Sequence, residues 1–80
     1  MRIEIRLLTQ MKKYLPDPDL AGDTRSLDIK NNAAVKDLFK NLGIPLDTPK
    51  VIMLNDRQGT LADTLKAGDR VTVFPPVGGG

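Results

Sequence analysis

Residues 2–8, Arg-Ile-Glu-Ile-Arg-Leu-Leu, alternate charged and apolar positions. That period predicts a strand with Ile3, Ile5 and Leu7 on a core face and Arg2, Glu4 and Arg6 outward. Leu8 falls on the outward parity, as an isolated surface leucine does. Residues 24–30 alternate again, with Leu27 and Ile29 inward and Ser26, Asp28 and Lys30 outward, which predicts a second strand antiparallel to the first. The period then lengthens. Val35, Leu38, Phe39 and Leu42 recur at the spacing of one helix face. Asn31 or Asn32 is the expected N-cap, and Gly43 suits the left-handed position after the last turn, with Ile44 folding back on Phe39 in a Schellman ending. Pro45 forbids continuation.

Residues 51–54, Val-Ile-Met-Leu, are apolar throughout, as an interior strand covered on both faces or nearly so would be. Asn55 to Gly59 reads as a turn, Leu61 and Leu65 as the anchors of a short helical turn, and Ala67-Gly68-Asp69 as a reversal. Residues 70–74 form the last strand, with Val71 and Val73 inward. Parity turns Phe74 outward, unless a bulge rotates it into the core. The connection at 9–23 is rich in turn chemistry. Its Asp17, Asp19 and Asp23 lack the glycine register and closing Glu of a calcium loop, so they read as solvated carboxylates. The order β-β-α-β-β predicts an α+β domain over residues 1–74: a mixed four-stranded sheet with one main helix on one face.

Residues 75–80, Pro-Pro-Val-Gly-Gly-Gly, break this pattern. Pro75 and Pro76 cannot donate to a ladder and hold the chain stiff, and the glycines carry no side chains. Fully extended, such a tail reaches roughly 20 Å at about 3.3 Å per residue. It would enter a channel too narrow for a Cβ. A frayed end is the plainer account of the same residues.

Composition narrows the chemistry. Eighty residues make one domain, of a size that buries only about 60% of its unfolded surface. Cysteine and histidine are both absent. That excludes thiol catalysis, disulfides, the usual zinc sites and imidazole acid–base chemistry, so the chain alone is not expected to be a conventional enzyme. A net charge of +2 with mixed signs, one Tyr and two Phe argue against nucleic-acid binding. No signal peptide or run of membrane-span length is evident, and a cytoplasmic location without membrane association is expected.

The run from Leu65 to Gly80, Leu-Lys-Ala-Gly-Asp-Arg-Val-Thr-Val-Phe-Pro-Pro-Val-Gly-Gly-Gly, resembles the ends of the MoaD/ThiS family of sulfur carriers. The likeness is strong over 61–80, fair over 1–8 and 33–57, and weak across 9–23. The resemblance implies a ubiquitin-like β-grasp fold. The proline pair before the glycines is more similar to the molybdopterin-synthase branch than to the thiamine branch. Within the family, an adenylating enzyme of the ubiquitin-activating type uses ATP and magnesium to activate the terminal carboxylate, here that of Gly80. A persulfide donor then supplies sulfur, and the large synthase subunit receives the thiocarboxylate. By the same resemblance the chain binds no cofactor itself. Leu8 and Phe74 would form an apolar patch at the root of the tail, and Pro75, Pro76, Val77, Gly78 and Gly79 would be held by partners. A third patch position, usually apolar in the family, falls near polar Gln58. A carrier for thiamine or another pathway, a ubiquitin-like tag joined to lysines, and a passive binding module remain as alternatives.

Overall fold

In the computed structural model, which describes residues 1–76, the chain folds as β1 (Arg2–Leu7), a 3-10 helix (Thr9–Tyr14), β2 (Thr24–Asp28), α1 (Val35–Leu42), β3 (Val51–Leu54), β4 (Arg57–Gln58) and β5 (Arg70–Phe74). The sheet runs β2-β1-β5-β3-β4. Its central pair, β1 and β5, is parallel, and the other pairs are antiparallel. The sheet is therefore mixed, with one helix against it, as the alternation predicts. It has a fifth strand where the sequence suggests only a turn. Arg57–Gln58 folds back on β3, Met53 opposite Gln58, too short a segment to leave a period.

The core gathers on the helix side of the sheet. Ile3, Ile5, Leu7, Ile52, Leu54, Val71 and Val73 meet Val35, Leu38, Phe39 and Ile44, all buried. Burying side chains of this size contributes about 1.5–3 kcal/mol each, an upper figure set against the entropy of ordering them. Gly43 ends α1 at φ 78°. The Ile44 N–H donates to the Phe39 carbonyl at 2.9 Å and the Gly43 N–H to that of Lys40 at 3.3 Å, the paired bonds of the predicted Schellman ending.

The start of α1 differs from expectation. Ala34 is the N-cap residue, not Asn31 or Asn32, and its N–H donates to the Asp37 carboxylate at 2.9 Å. The next two amides, of Val35 and Lys36, donate to the carbonyls of Asp63 and Leu61 at 2.9 and 3.0 Å. A neighbouring segment thus satisfies the orphan donors that a capping asparagine would serve. That segment makes the single turn expected near Leu61, the Asp63 N–H donating to the Thr60 carbonyl at 3.2 Å, and does not continue as a helix to Leu65. It docks on the start of α1 through the bridge of Ala34 to Thr64, and Leu65 is buried.

The connection at 9–23 also holds more structure than its turn residues suggest. Met11 and Leu15 from the 3-10 helix and its end enter the core. Arg25 organises the rest. Its guanidinium donates to the carbonyls of Pro16, Asp17, Leu20, Gly22 and Thr24 at 2.9–3.5 Å. Planar, with five donors in a fixed fork, it is suited to gathering several carbonyls at once.

Candidate functional site

The tail leaves from the middle of the sheet, because β5 lies between β1 and β3. In β5, Val71 and Val73 are buried and Arg70, Thr72 and Phe74 take the opposite parity. Phe74 lies on the open face, half-buried; no bulge turns it inward. Beside it the Leu8 N–H donates to the Val73 carbonyl at 3.0 Å, continuing the parallel ladder one residue past Leu7 and Val73. The side chains of Leu8 and Phe74 therefore neighbour one another on the open face, as their parity predicts.

β3 completes the strip. Val51 stands directly opposite Phe74, and Met53 opposite Thr72. Both are half-buried, whereas Ile52 and Leu54, alternating with them, are buried. The expectation that this apolar run is covered on both faces is thus corrected. The helix covers one face, and the outward Val51 and Met53 join Leu8 and Phe74 at the root of the tail. Period alone cannot distinguish an apolar face turned to a helix from one turned to a partner. Gln58 sits opposite Met53, a polar group at the rim of the strip. Gly59 makes this corner possible by close approach: a Cβ there would come within 3.0 Å of the Leu54 Cβ.

Charges on the open face form pairs, with Arg2 and Glu4 toward the start of β1 and Arg6 bordering the strip opposite Thr72. Arg2 and Asp28 pair through two bonds at 3.0 and 3.2 Å, and Arg70 and Glu4 approach to 3.4 Å, as do Arg6 and Asp23. The Arg2 guanidinium holds the Asp28 carboxyl below its ordinary range. The Thr24 hydroxyl, and after it the Arg6 charge, does the same for Asp23. Behind Val51, the Lys50 ammonium donates to the Leu46 and Thr48 carbonyls and lies 5.5 Å from the Phe39 ring centre. Partial burial lowers its pKa.

Pro75, directly after Phe74, is half-buried and Pro76 is exposed. Val77, Gly78, Gly79 and Gly80, the remaining predicted site residues, lie outside the described residues. The structure brings Leu8 and Phe74 together and adds Val51 and Met53, outward members that a continuous apolar run conceals. Such an arrangement can bind an apolar surface and fix the point from which a tail departs. No helix among the described residues is long and apolar enough to cross a membrane.

Against known proteins, the ThiS family matches residues 17–80 of the chain. No curated protein matches it by sequence. Among solved structures, SAMP1, the small archaeal modifier protein of Haloferax volcanii, is similar with a TM-score of 0.75 and 21% identity, covering 100% of both chains. A putative molybdopterin converting factor subunit 1 from Pyrococcus furiosus gives 0.71 and 21%, covering 95% of this chain and 98% of that one. The complex of subunits 1 and 2 of the molybdopterin-converting factor from Helicobacter pylori gives 0.65 and 24%, covering 100% of both. At these identities the likeness shows the fold, a ubiquitin-like β-grasp.

Proposed function

The chain belongs to the MoaD/ThiS family, by its match to the ThiS family over residues 17–80, and from that premise we propose that it is a sulfur carrier for molybdopterin synthesis, with Gly80 as its reactive end. The observation that carries the reading is the apolar strip of Leu8, Phe74, Val51 and Met53 where the tail begins. Ordering a glycine-rich tail in a partner's channel costs about 1–2 kcal/mol per residue, so a docked body must offset that cost. The strip is such a body.

The chemistry follows from what a carboxylate lacks. It is a poor electrophile. An adenylating enzyme, using ATP and magnesium, lets the Gly80 carboxylate oxygen displace pyrophosphate, giving a mixed anhydride with AMP as leaving group. The terminal sulfur of a persulfide attacks the carbonyl and expels AMP. A thiol then cleaves the acyl disulfide, leaving its own sulfur in the new disulfide and a thiocarboxylate on Gly80. A thioacid is ionised at neutral pH and nucleophilic, suited to giving its sulfur to a pterin precursor. The Helicobacter pylori complex of subunits 1 and 2 supports a large synthase subunit as the second partner.

A protein-modifier role would use the same carboxylate, and the full-length likeness to SAMP1 favours keeping it as the second reading. The two part at the acceptor: a pterin precursor, or the ε-amine of a lysine. The test is intact mass of the chain purified from its own cells, with the oxygen-to-sulfur increment expected, beside a variant extended by one alanine after Gly80. The extended chain should fold normally, gain no AMP and take up no sulfur. If it were adenylated untrimmed and supported cofactor synthesis, Gly80 would not be the reactive end and the reading would fall. Isopeptide adducts without any sulfur increment would replace it with the modifier role.

A further inference from the structure

Among the described residues β2, at the far edge of the sheet from β4, pairs only with β1. Ile29 and Met1 exchange both bonds: the Ile29 N–H donates to the Met1 carbonyl at 2.8 Å, and the Met1 ammonium to the Ile29 carbonyl at 2.7 Å. Three bonded pairs along the ladder, the Leu7 N–H donates to the Asp23 carbonyl at 3.0 Å. Bonded pairs alternate in an antiparallel ladder, so Arg25 and Leu27 also face β1. The backbone groups of Ser26 and Asp28 then point off the sheet, the arrangement that templates an added strand.

Just past the end of this strand, an open cleft of about 450 Å3 lies between the connection that follows β2 and α1. Ile29 and Leu38 form its floor, and Lys30, Lys40, Asn41 and Asp37 its rim. The Asp37 carboxylate is occupied by the Ala34 N–H. Lys30 and Lys40 are exposed and form no ion pair among the described residues. The cleft therefore joins a strand edge open among the described residues, an aliphatic floor and two ammonium groups outside any ion pair, set against the single rim carboxylate of Asp37.

We propose that this edge and cleft dock an extended acidic segment of a partner protein. The segment adds as a strand beside β2, places an aliphatic side chain over Ile29 and Leu38, and sets carboxylates against Lys30 and Lys40. Main-chain bonds to Ser26 and Asp28 supply the register, and the cleft and its charges supply the preference. Leu8 and Phe74 lie on the opposite face, around β1 and β5, so a partner held here leaves the root of the tail free. The site is independent of the sulfur chemistry.

The test uses the full chain and a short fluorescent peptide that alternates valine and threonine and ends in glutamates, with a lysine-ended peptide as its counterpart. Titration should shift the backbone amide resonances of Ser26, Asp28, Ile29 and Lys40, and the glutamate peptide should bind in preference. Reversing both rim charges, Lys30→Glu with Lys40→Glu, should weaken binding roughly tenfold, as added salt should in part. Ser26→Pro should remove binding by deleting the outward donor while leaving the β1 ladder intact; should that variant fail to fold, the charge reversal on exposed positions carries the test alone. Equal binding of the two peptides, or shifts at Thr72 and Phe74 in place of β2, would overturn the proposal. So would dimerisation through β2 in sedimentation, which would give the edge to a second copy of the chain.

Discussion

The two faces of the sheet use the same residue types for different ends. On the helix side, Ile3, Ile5, Leu7, Ile52, Leu54, Val71 and Val73 are all buried, and α1 with the 3-10 helix closes over them. On the other side, one end carries the ion pairs of Arg2 with Asp28 and Arg70 with Glu4, and the other carries Leu8, Val51, Met53 and Phe74, all half-buried. A small domain has little stability to spare, and leaving four large apolar groups partly wet contributes little to it. Their cost is understandable if another protein completes their burial. The closed face makes the fold, and the open face, on the proposed reading, is the one a partner would cover.

Substitutions on the closed face should produce the largest effects. Phe39→Ala removes the largest fully buried side chain and should cost about 3–5 kcal/mol in chemical denaturation, a large part of the total. A loss under about 1 kcal/mol would mean that the helix does not organise the core. Crossing to the open face inverts the outcome. Phe74→Asp should leave the denaturation midpoint nearly unchanged, yet weaken binding to the large synthase subunit or the adenylating enzyme by about 2 kcal/mol, roughly thirtyfold. Adjacent residues of β3 sharpen the contrast. Ile52→Asp should unfold the domain by burying an unpaired charge, whereas Met53→Asp should fold and bind poorly. Equal destabilisation by the two would erase the distinction between faces.

Much of this division is legible in the sequence where one side chain decides one face. The alternation over Ile3, Ile5 and Leu7, the helix stripe and Gly43 each carry their own signal, and Leu8 and Phe74 stand out by falling on the wrong parity. The remainder depends on partners distant in the chain. Val51 and Met53 are indistinguishable from core residues until the sheet order leaves their side uncovered. The N-cap passes from Asn31 or Asn32 to Ala34 because Leu61 and Asp63 lie within reach of the first turn. A two-residue strand such as β4 has no period to read, and the 3-10 helix offers only Met11 and Leu15 amid turn residues. Arg25 is the least legible of all, since its alternation with Leu27 and Ile29 marks a core-facing position and its role lies in carbonyls up to nine residues away.

Arg25 supplies the next effect in size. It stands on the helix-side parity at the sheet edge, opposite Ile5, where an unpaired charge would be costly. The carbonyls of residues 16–24 satisfy it and are ordered by it. Arg25→Ala should cost about 1–2 kcal/mol and speed hydrogen exchange across residues 16–22, leaving α1 protected. Arg25→Lys should not restore protection, because an ammonium cannot present five donors in one plane. Full rescue by lysine would reduce the interaction to charge alone.

The smallest effect belongs to the far end of the open face, where Arg2 and Asp28 are joined but largely exposed. The pair holds the Asp28 pKa below its ordinary value of 3.8. A carboxyl depressed in the folded state contributes stability above its unfolded pKa and loses it as pH falls through the folded value. Wild type should therefore be slightly more stable than Asp28→Asn at neutral pH, with the difference shrinking below pH 3.8 and disappearing once the carboxyl is protonated in both states. Salt should narrow the gap in the same direction, since exposed pairs are screened. Binding of the large subunit should not respond to this substitution, because the pair lies at the opposite end of β1 from Leu8. A melting series of the two proteins against pH, with binding measured at neutral pH, reads both quantities. Loss of binding without loss of stability would extend the partner surface along the whole open face and end the separation between its charged and apolar ends.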